Sequence, residues 1–175
     1  APYAKRAMAP DMVAVMDRLG FPRFSVAGHD RGGRVAYRMA LDHPARIERL
    51  GVLDILPTGT VWDLADARFA LAYWPWSLLA QPEPLPERIL GAASEAIVDN
   101  ALDAWGTPSS VFSAGVRAAY VQALRDPAHI HAICEEYRPA ATVDRRHDQA
   151  DRAAGHRTAC PVLALWSAEG ELVTC

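Results

Sequence analysis

The sequence predicts an α/β fold, a mostly parallel sheet carrying an inserted helical cap. Three observations carry that expectation. The short apolar run Phe24-Ser25-Val26-Ala27 leads through a glycine-rich corner into residues 35–41, which read as a helix. Arg49-Leu50-Gly51-Val52-Leu53-Asp54 then reads as a second strand, and strand–helix–strand at this spacing is a βαβ unit with parallel strands. From residue 59 to about 158 the chain turns Ala-rich and helical in period, before strand character returns at residues 160–166.

Taken in order, residues 4–19 place Met8, Met12, Val15, Met16 and Leu19 on one stripe of an amphipathic helix. Pro10 must lie near its first turn or bend it, and Gly20 suits its C-terminal stop. The helix after the corner ends at His43-Pro44, because a residue before proline is pushed out of the α region. Within the insertion, residues 61–79 read as a helix interrupted at Pro75, with further helices over 95–105, 113–124 and 128–137. Turn breaks fall at Gln81-Pro82-Glu83-Pro84-Leu85-Pro86, at Gly106-Thr107-Pro108 and at Pro127. Trp62, Trp74, Trp76 and Trp105 lie in this region. Aromatic clusters are commonly core, and a cap closing over a small ligand needs dry walls of the same kind. The expected organisation is a partial sheet core at residues 1–58 and 159–175 with a cap at 59–158. A turn at Ser167-Ala168-Glu169-Gly170 follows the last strand.

The chemistry concentrates in Gly28-His29-Asp30-Arg31-Gly32-Gly33-Arg34. Gly28-x-Asp30-x-Gly32 is the nucleophile-elbow spacing of α/β-hydrolases, with Asp in place of Ser. Glycines two before and two after the nucleophile let strand and helix pack closely, and a helix N-terminus favours negative charge. An ordinary strand–turn–helix with a capping Asp is the plainer alternative. Arg31 and Arg34, three apart, share one face of the first helical turn. Two cations are badly placed there unless an anion is expected; the alternative is a pair of surface arginines. Asp54 ends its parallel strand at the same sheet edge as Asp30, the edge that holds ligand sites in open α/β sheets. It is either an acid orienting a catalytic His or a cap for the loop through Pro57-Thr58. Asp30 would attack an electrophilic carbon, displace a leaving group and form an ester for water to hydrolyse. Arginine–carboxylate pairs are strong and directional, so Arg31 and Arg34 suit a small 2-substituted acid. This displacement needs no metal or organic cofactor.

Bulk properties agree. The chain has 175 residues, 51% hydrophobic and 22% charged, with net charge −3. That suits one domain with a substantial core and excludes the basic signature of nucleic-acid or anionic-membrane binding. No apolar run is long enough to span a bilayer. The start lacks an apolar h-region, so no signal peptide is expected. Three widely spaced cysteines, Cys134, Cys160 and Cys175, suggest neither a disulfide framework nor a zinc site and fit a reducing cytoplasm. A homodimer is left open. With no initiator Met and no closing helix before Cys175, both ends read as truncated, which implies a piece of a longer hydrolase.

Several stretches together resemble the haloacetate (fluoroacetate) dehalogenases among α/β-hydrolases. They are the corner continued through Val35-Ala36-Tyr37-Arg38, Leu41-Asp42-His43-Pro44, Val52-Leu53-Asp54-Ile55-Leu56-Pro57-Thr58, Trp76-Ser77-Leu78-Leu79-Ala80-Gln81-Pro82 and Glu136-Tyr137-Arg138. Haloalkane dehalogenases and epoxide hydrolases share the Asp elbow but usually follow the nucleophile with Trp, where this chain has Arg31. The resemblance implies hydrolytic dehalogenation of a small haloacid. Asp30 is then the nucleophile, Asp54 the triad acid, and Arg31 and Arg34 the carboxylate binders. Trp76 and Tyr137 become halide donors, and the Arg31 backbone N–H part of an oxyanion hole. Two departures stand out. Pro75 occupies the position of a halide-binding His in fluoroacetate dehalogenases. The family's catalytic His lies beyond Cys175, and none of His29, His43, His129, His131, His147 and His156 matches it, so this piece alone is expected not to turn over. An epoxide or ester hydrolase of the same fold, and a non-catalytic domain of that fold, are the competing readings.

Overall fold

Two of the strands meet as the strand–helix–strand spacing requires. In the computed structural model, which describes residues 1–104 and 109–168, β1 (Phe24–His29) and β2 (Ile47–Leu53) pair in parallel. β3 (Val162–Leu165) pairs in parallel with β2, giving the order β1-β2-β3. Trp105, the Gly106-Thr107-Pro108 break, Glu169, Gly170 and Cys175 lie outside the described residues. The chain divides into two compact units, Ala1–Ala72 with the chain from Pro139 onward, and Tyr73–Arg138.

In the first unit, α1 (Lys5–Arg18) and α2 (Asp30–Asp42) cover the sheet. The buried face of α1 is Lys5, Ala9 and Val13, flanked by the partly buried Met8 and Met16. Met12, Val15 and Leu19, expected on that stripe, are exposed. The core row follows the i, i+4, i+8 ridge through small Ala9 and Val13, which fits between the side chains of a neighbouring helix. Pro10 lies inside α1, past its first turn. From α2, Val35, Ala36, Met39 and Ala40 join Phe24, Ile47, Leu50 and Ile55 in the same core.

The expected single helix over residues 61–79 is three. α3 (Thr58–Leu64), α4 (Ala67–Ala72) and α5 (Trp74–Leu79) break at Ala65-Asp66 and at Tyr73. Asp66 accepts the Phe69 N–H at 2.9 Å and so starts α4 afresh. Pro75 sits in the first turn of α5, where its missing N–H costs nothing. After a π turn at Ala140–Asp144, α10 (Arg145–Ala153) returns to the first unit. It carries a polar layer. Arg38 donates to Asp151 at 2.6 Å and to Asp42 at 2.7 Å, while Tyr37 and the Gly59 N–H both donate to Asp148 at 2.8 Å. Burial and the nearby Asp148 charge push the Tyr37 phenol well above its usual range.

The second unit holds α5, α6 (Leu85–Ala92), α7 (Ser94–Ala104), α8 (Ala114–Ala123) and the body of α9 (Pro127–Pro139). Helix α6 begins inside the proline-rich segment expected to be a turn. Pro86 occupies its first turn, and Pro86 and Leu90 give it a buried side. Leu79, Leu90, Ile130 and Cys134 form its core. Arg138 ties the unit together through Glu87 at 2.5 Å, Glu135 at 2.6 Å and the Gln81 carbonyl at 2.9 Å.

Candidate active site

The corner between β1 and α2 has the geometry that its spacing predicts. Asp30, the first residue of α2, has φ +47°, the left-handed conformation of a sharp strand-to-helix turn. Gly28 is obligatory: a Cβ there would lie 2.4 Å from the Gly32 carbonyl oxygen and 2.6 Å from the Gly33 nitrogen. The second tight position is Gly33 rather than Gly32. A Cβ on Gly33 would meet the Gly28 carbonyl oxygen at 2.9 Å and Ile55 at 3.1 Å, whereas one on Gly32 would point into open space.

The parallel register pairs His29 with Leu53, so Asp30 and Asp54 each follow the last paired residue of their strands at one sheet edge. Asp54 also adopts a left-handed conformation, φ +54°. Its N–H donates to the Leu165 carbonyl at 2.7 Å, which fixes the strand end against β3.

The two arginines diverge. The Arg31 Nε lies 3.9 Å from an Asp30 carboxylate oxygen, with the Asp30 side chain 56% exposed. Arg34 is buried and its Nη1 donates to the Leu56 carbonyl at 2.5 Å. Helix spacing puts both on one face, yet the loop after β2 draws Arg34 into the interior. No sequence signal marks that loop carbonyl as its partner.

In the second unit, Trp76 and Tyr137 pack edge to face with ring centroids 6.0 Å apart. Trp74 Nε1 donates to Asn100 Oδ1 at 3.3 Å. Among the histidines, His156 bonds Asp151 at 3.0 Å and His129 reaches Asp126 at 3.4 Å; neither carboxylate is Asp54. One grouping was not singled out from the sequence: Glu83, Glu87 and His131, whose ligand atoms lie within 4.8 Å of one another. Glu87 is already engaged by Arg138 in a part-buried ion pair, and Glu83 and His131 lie exposed beside it. A groove of about 600 Å³ beside β2 and β3 is walled by Leu50, Val52, Ile55, Val162, Ala164 and Trp166. Neither Asp30 nor Arg31 lines it. No helix among the described residues is long and apolar enough to cross a membrane.

Known proteins resemble this chain in sequence and fold. The alpha/beta hydrolase fold family matches residues 1–174. A fluoroacetate dehalogenase from Burkholderia sp is 42% identical over 171 residues, 97% of this chain and 56% of that protein. A Nostoc sp PCC 7120 protein, provisionally assigned as an alpha/beta hydrolase, superposes with a TM-score of 0.91 at 46% identity, over 99% of this chain and 59% of that one. A Pseudomonas aeruginosa protein, provisionally assigned as an epoxide hydrolase, superposes with a TM-score of 0.88 at 44% identity, over 98% and 59%. The chain thus spans somewhat more than half the length of the proteins it matches.

Proposed function

The chain belongs to the alpha/beta hydrolase fold family, and from that premise we propose that it is part of a hydrolytic dehalogenase of small 2-haloacids. One observation carries the reading. A carboxylate, Asp30, occupies the strained left-handed corner with the Arg31 guanidinium beside it, so nucleophile and anion-binding cation stand together. The likeness to the Burkholderia fluoroacetate dehalogenase supports it.

In the proposed reaction Arg31 holds the substrate carboxylate, with Arg34 reaching it from the interior through a guanidinium nitrogen other than the Nη1 bonded to Leu56, and the pair aims its C2 carbon at Asp30. A new bond forms from an Asp30 carboxylate oxygen to that carbon as the carbon–halogen bond breaks, and halide leaves with the electron pair. Water then adds to the ester carbonyl, losing its proton to a His oriented by Asp54. The 2-hydroxyacid departs and Asp30 is regenerated. Trp76 and Tyr137 are the N–H and O–H donors proposed for the leaving halide. The domain reading is carried as a proposal with it: a core from residues 1–58 and 159–175 and a cap from 59–158, with a soluble, cytoplasmic setting.

The test is intact mass of the full-length Asp54→Asn protein after exposure to chloroacetate, with chloride release followed in the wild type. A carboxymethyl gain on the peptide containing Asp30, and chloride release by the wild type, are expected. A folded protein that gains no adduct and releases no chloride overturns the reading. The likeness to the Pseudomonas protein favours epoxide opening as the second reading; turnover of a terminal epoxide by the wild-type protein, with no chloride release from chloroacetate, would establish it.

A further inference from the structure

We propose that Arg34 is a positioning residue: it ties the loop that carries Asp54 to the helix that carries Asp30, and so governs ester hydrolysis as well as substrate binding. The inference rests on the aspartyl-ester reading above.

Three residues on one side of α2 meet the loop after β2 in order. Gly33 leaves room for Ile55 against the helix, its added Cβ falling 3.1 Å from Ile55 Cγ1. Arg34 Nη1 donates to the Leu56 carbonyl at 2.5 Å. The Tyr37 hydroxyl accepts the Thr58 N–H at 3.2 Å. The loop is therefore fastened to the nucleophile helix at 55, 56 and 58, directly after Asp54. On its other side Asp54 is held by its own N–H on Leu165.

Such fastening has a purpose at this residue. A non-glycine residue in the left-handed region is strained and persists only where its surroundings over-determine it. Asp54 is such a residue. Of the three ties, the Arg34 bond is the charge-assisted one, and it is made in a dry place, with the residue 3% exposed. Without it the loop relaxes toward an unstrained path and takes the Asp54 carboxylate out of register with the base it orients. A displacement of about 1 Å costs on the order of 100-fold in rate.

The experiment compares full-length Arg34→Met, Arg31→Met and Asp54→Asn proteins by rapid mixing with chloroacetate, acid quench and intact mass, alongside steady-state constants. Asp54→Asn is expected to accumulate the carboxymethyl ester on Asp30. Arg34→Met should accumulate it too, with a higher KM and a kcat lowered about 100-fold. Arg31→Met should show the higher KM with no more ester than wild type. If Asp54→Asn accumulates ester and Arg34→Met does not, Arg34 only binds substrate and the inference is overturned. If Asp54→Asn accumulates none, the aspartyl-ester reading itself fails and takes the inference with it. Should Arg34→Met not fold, Arg34→Lys, which keeps the charge but not the planar fork, is read the same way: ester above wild type supports the tie, and ester at the wild-type level overturns it.

Discussion

Asp30 holds a conformation that glycine adopts at far lower cost. Its carboxylate is 56% exposed at the sheet edge, where the proposed reaction uses it. Asp30→Gly should therefore release no halide from chloroacetate while unfolding at higher denaturant, by about 1 kcal/mol, the low end of the left-handed penalty after loss of a favourable charge at the helix N-terminus. A variant less stable than wild type in urea titration would show that the corner is not strained. The need for glycine at position 28 is visible in the Gly-x-Asp-x-Gly spacing, because the motif itself encodes the backbone approach. That Gly33, not Gly32, makes the second close contact is not. It depends on where Ile55 lands, and Ile55 arrives from the loop after β2.

At the scale of elements the strands were legible as short apolar runs and α1 by its 3.6-residue period, although that period put Met12, Val15 and Leu19 on the stripe where the structure exposes them. Helix α10 was not. Its sequence, Arg145-Arg146-His147-Asp148-Gln149-Ala150-Asp151-Arg152-Ala153, has no apolar stripe, and its buried residues are Asp148 and Asp151. The partners that make this burial tolerable come from α2, over a hundred residues away in sequence. Burial opposes the Asp151 charge, but bonds from Arg38 and His156 outweigh it and hold the carboxyl below its ordinary value. Replacing Arg38 with Met removes the buried cation from Asp42 and Asp151 but leaves both bonded to Arg6, at 3.1 Å and 3.2 Å, and should cost about 1.5–3 kcal/mol in a urea titration of the full-length protein; a loss under 1 kcal/mol would mean the layer is plastic. The same helix carries an acid-sensitive group. Burial, then the Arg6 charge, lowers the His147 pKa below its ordinary value. The folded protein therefore binds that proton more weakly than the unfolded chain does. Its contribution is fully present above the unfolded value of about 6.5 and is lost as the pH falls toward the folded value. The Tm should drop between pH 7.5 and 5.5, and less so in His147→Gln; equal drops in both proteins would remove His147 as the cause.

The change of texture at residue 59 and the compact unit that begins at Tyr73 do not coincide. The intervening helices α3 and α4 are cap-like in composition, but α3 is bound into the first unit by α10. Gly59 donates to Asp148, and Asp63 accepts from Arg145 at 3.0 Å and Arg152 at 2.6 Å. Composition cannot reveal that, because the partners of Asp63 lie more than eighty residues away. Within the second unit the sequence leaves one chemical question that geometry sharpens. Position 75 is proline and brings no donor. The indole N–H of the preceding Trp74 is committed to Asn100, so it does not make up the difference. Halide departure in the proposed reaction then depends on Trp76 and Tyr137. Fluoride, the poorer leaving group, depends more on strong hydrogen bonding than chloride does. A hydrogen bond to a charged group contributes roughly 1.5–3 kcal/mol, which corresponds to about 10- to 100-fold in rate. The full-length protein should accordingly show a kcat/KM for chloroacetate at least about 10-fold above that for fluoroacetate, measured by halide release, and Pro75→His should narrow the gap by raising the fluoride rate. Equal rates on the two acids in the wild type would mean that fluoride finds its donors elsewhere, and that position 75 does not decide which halogen leaves.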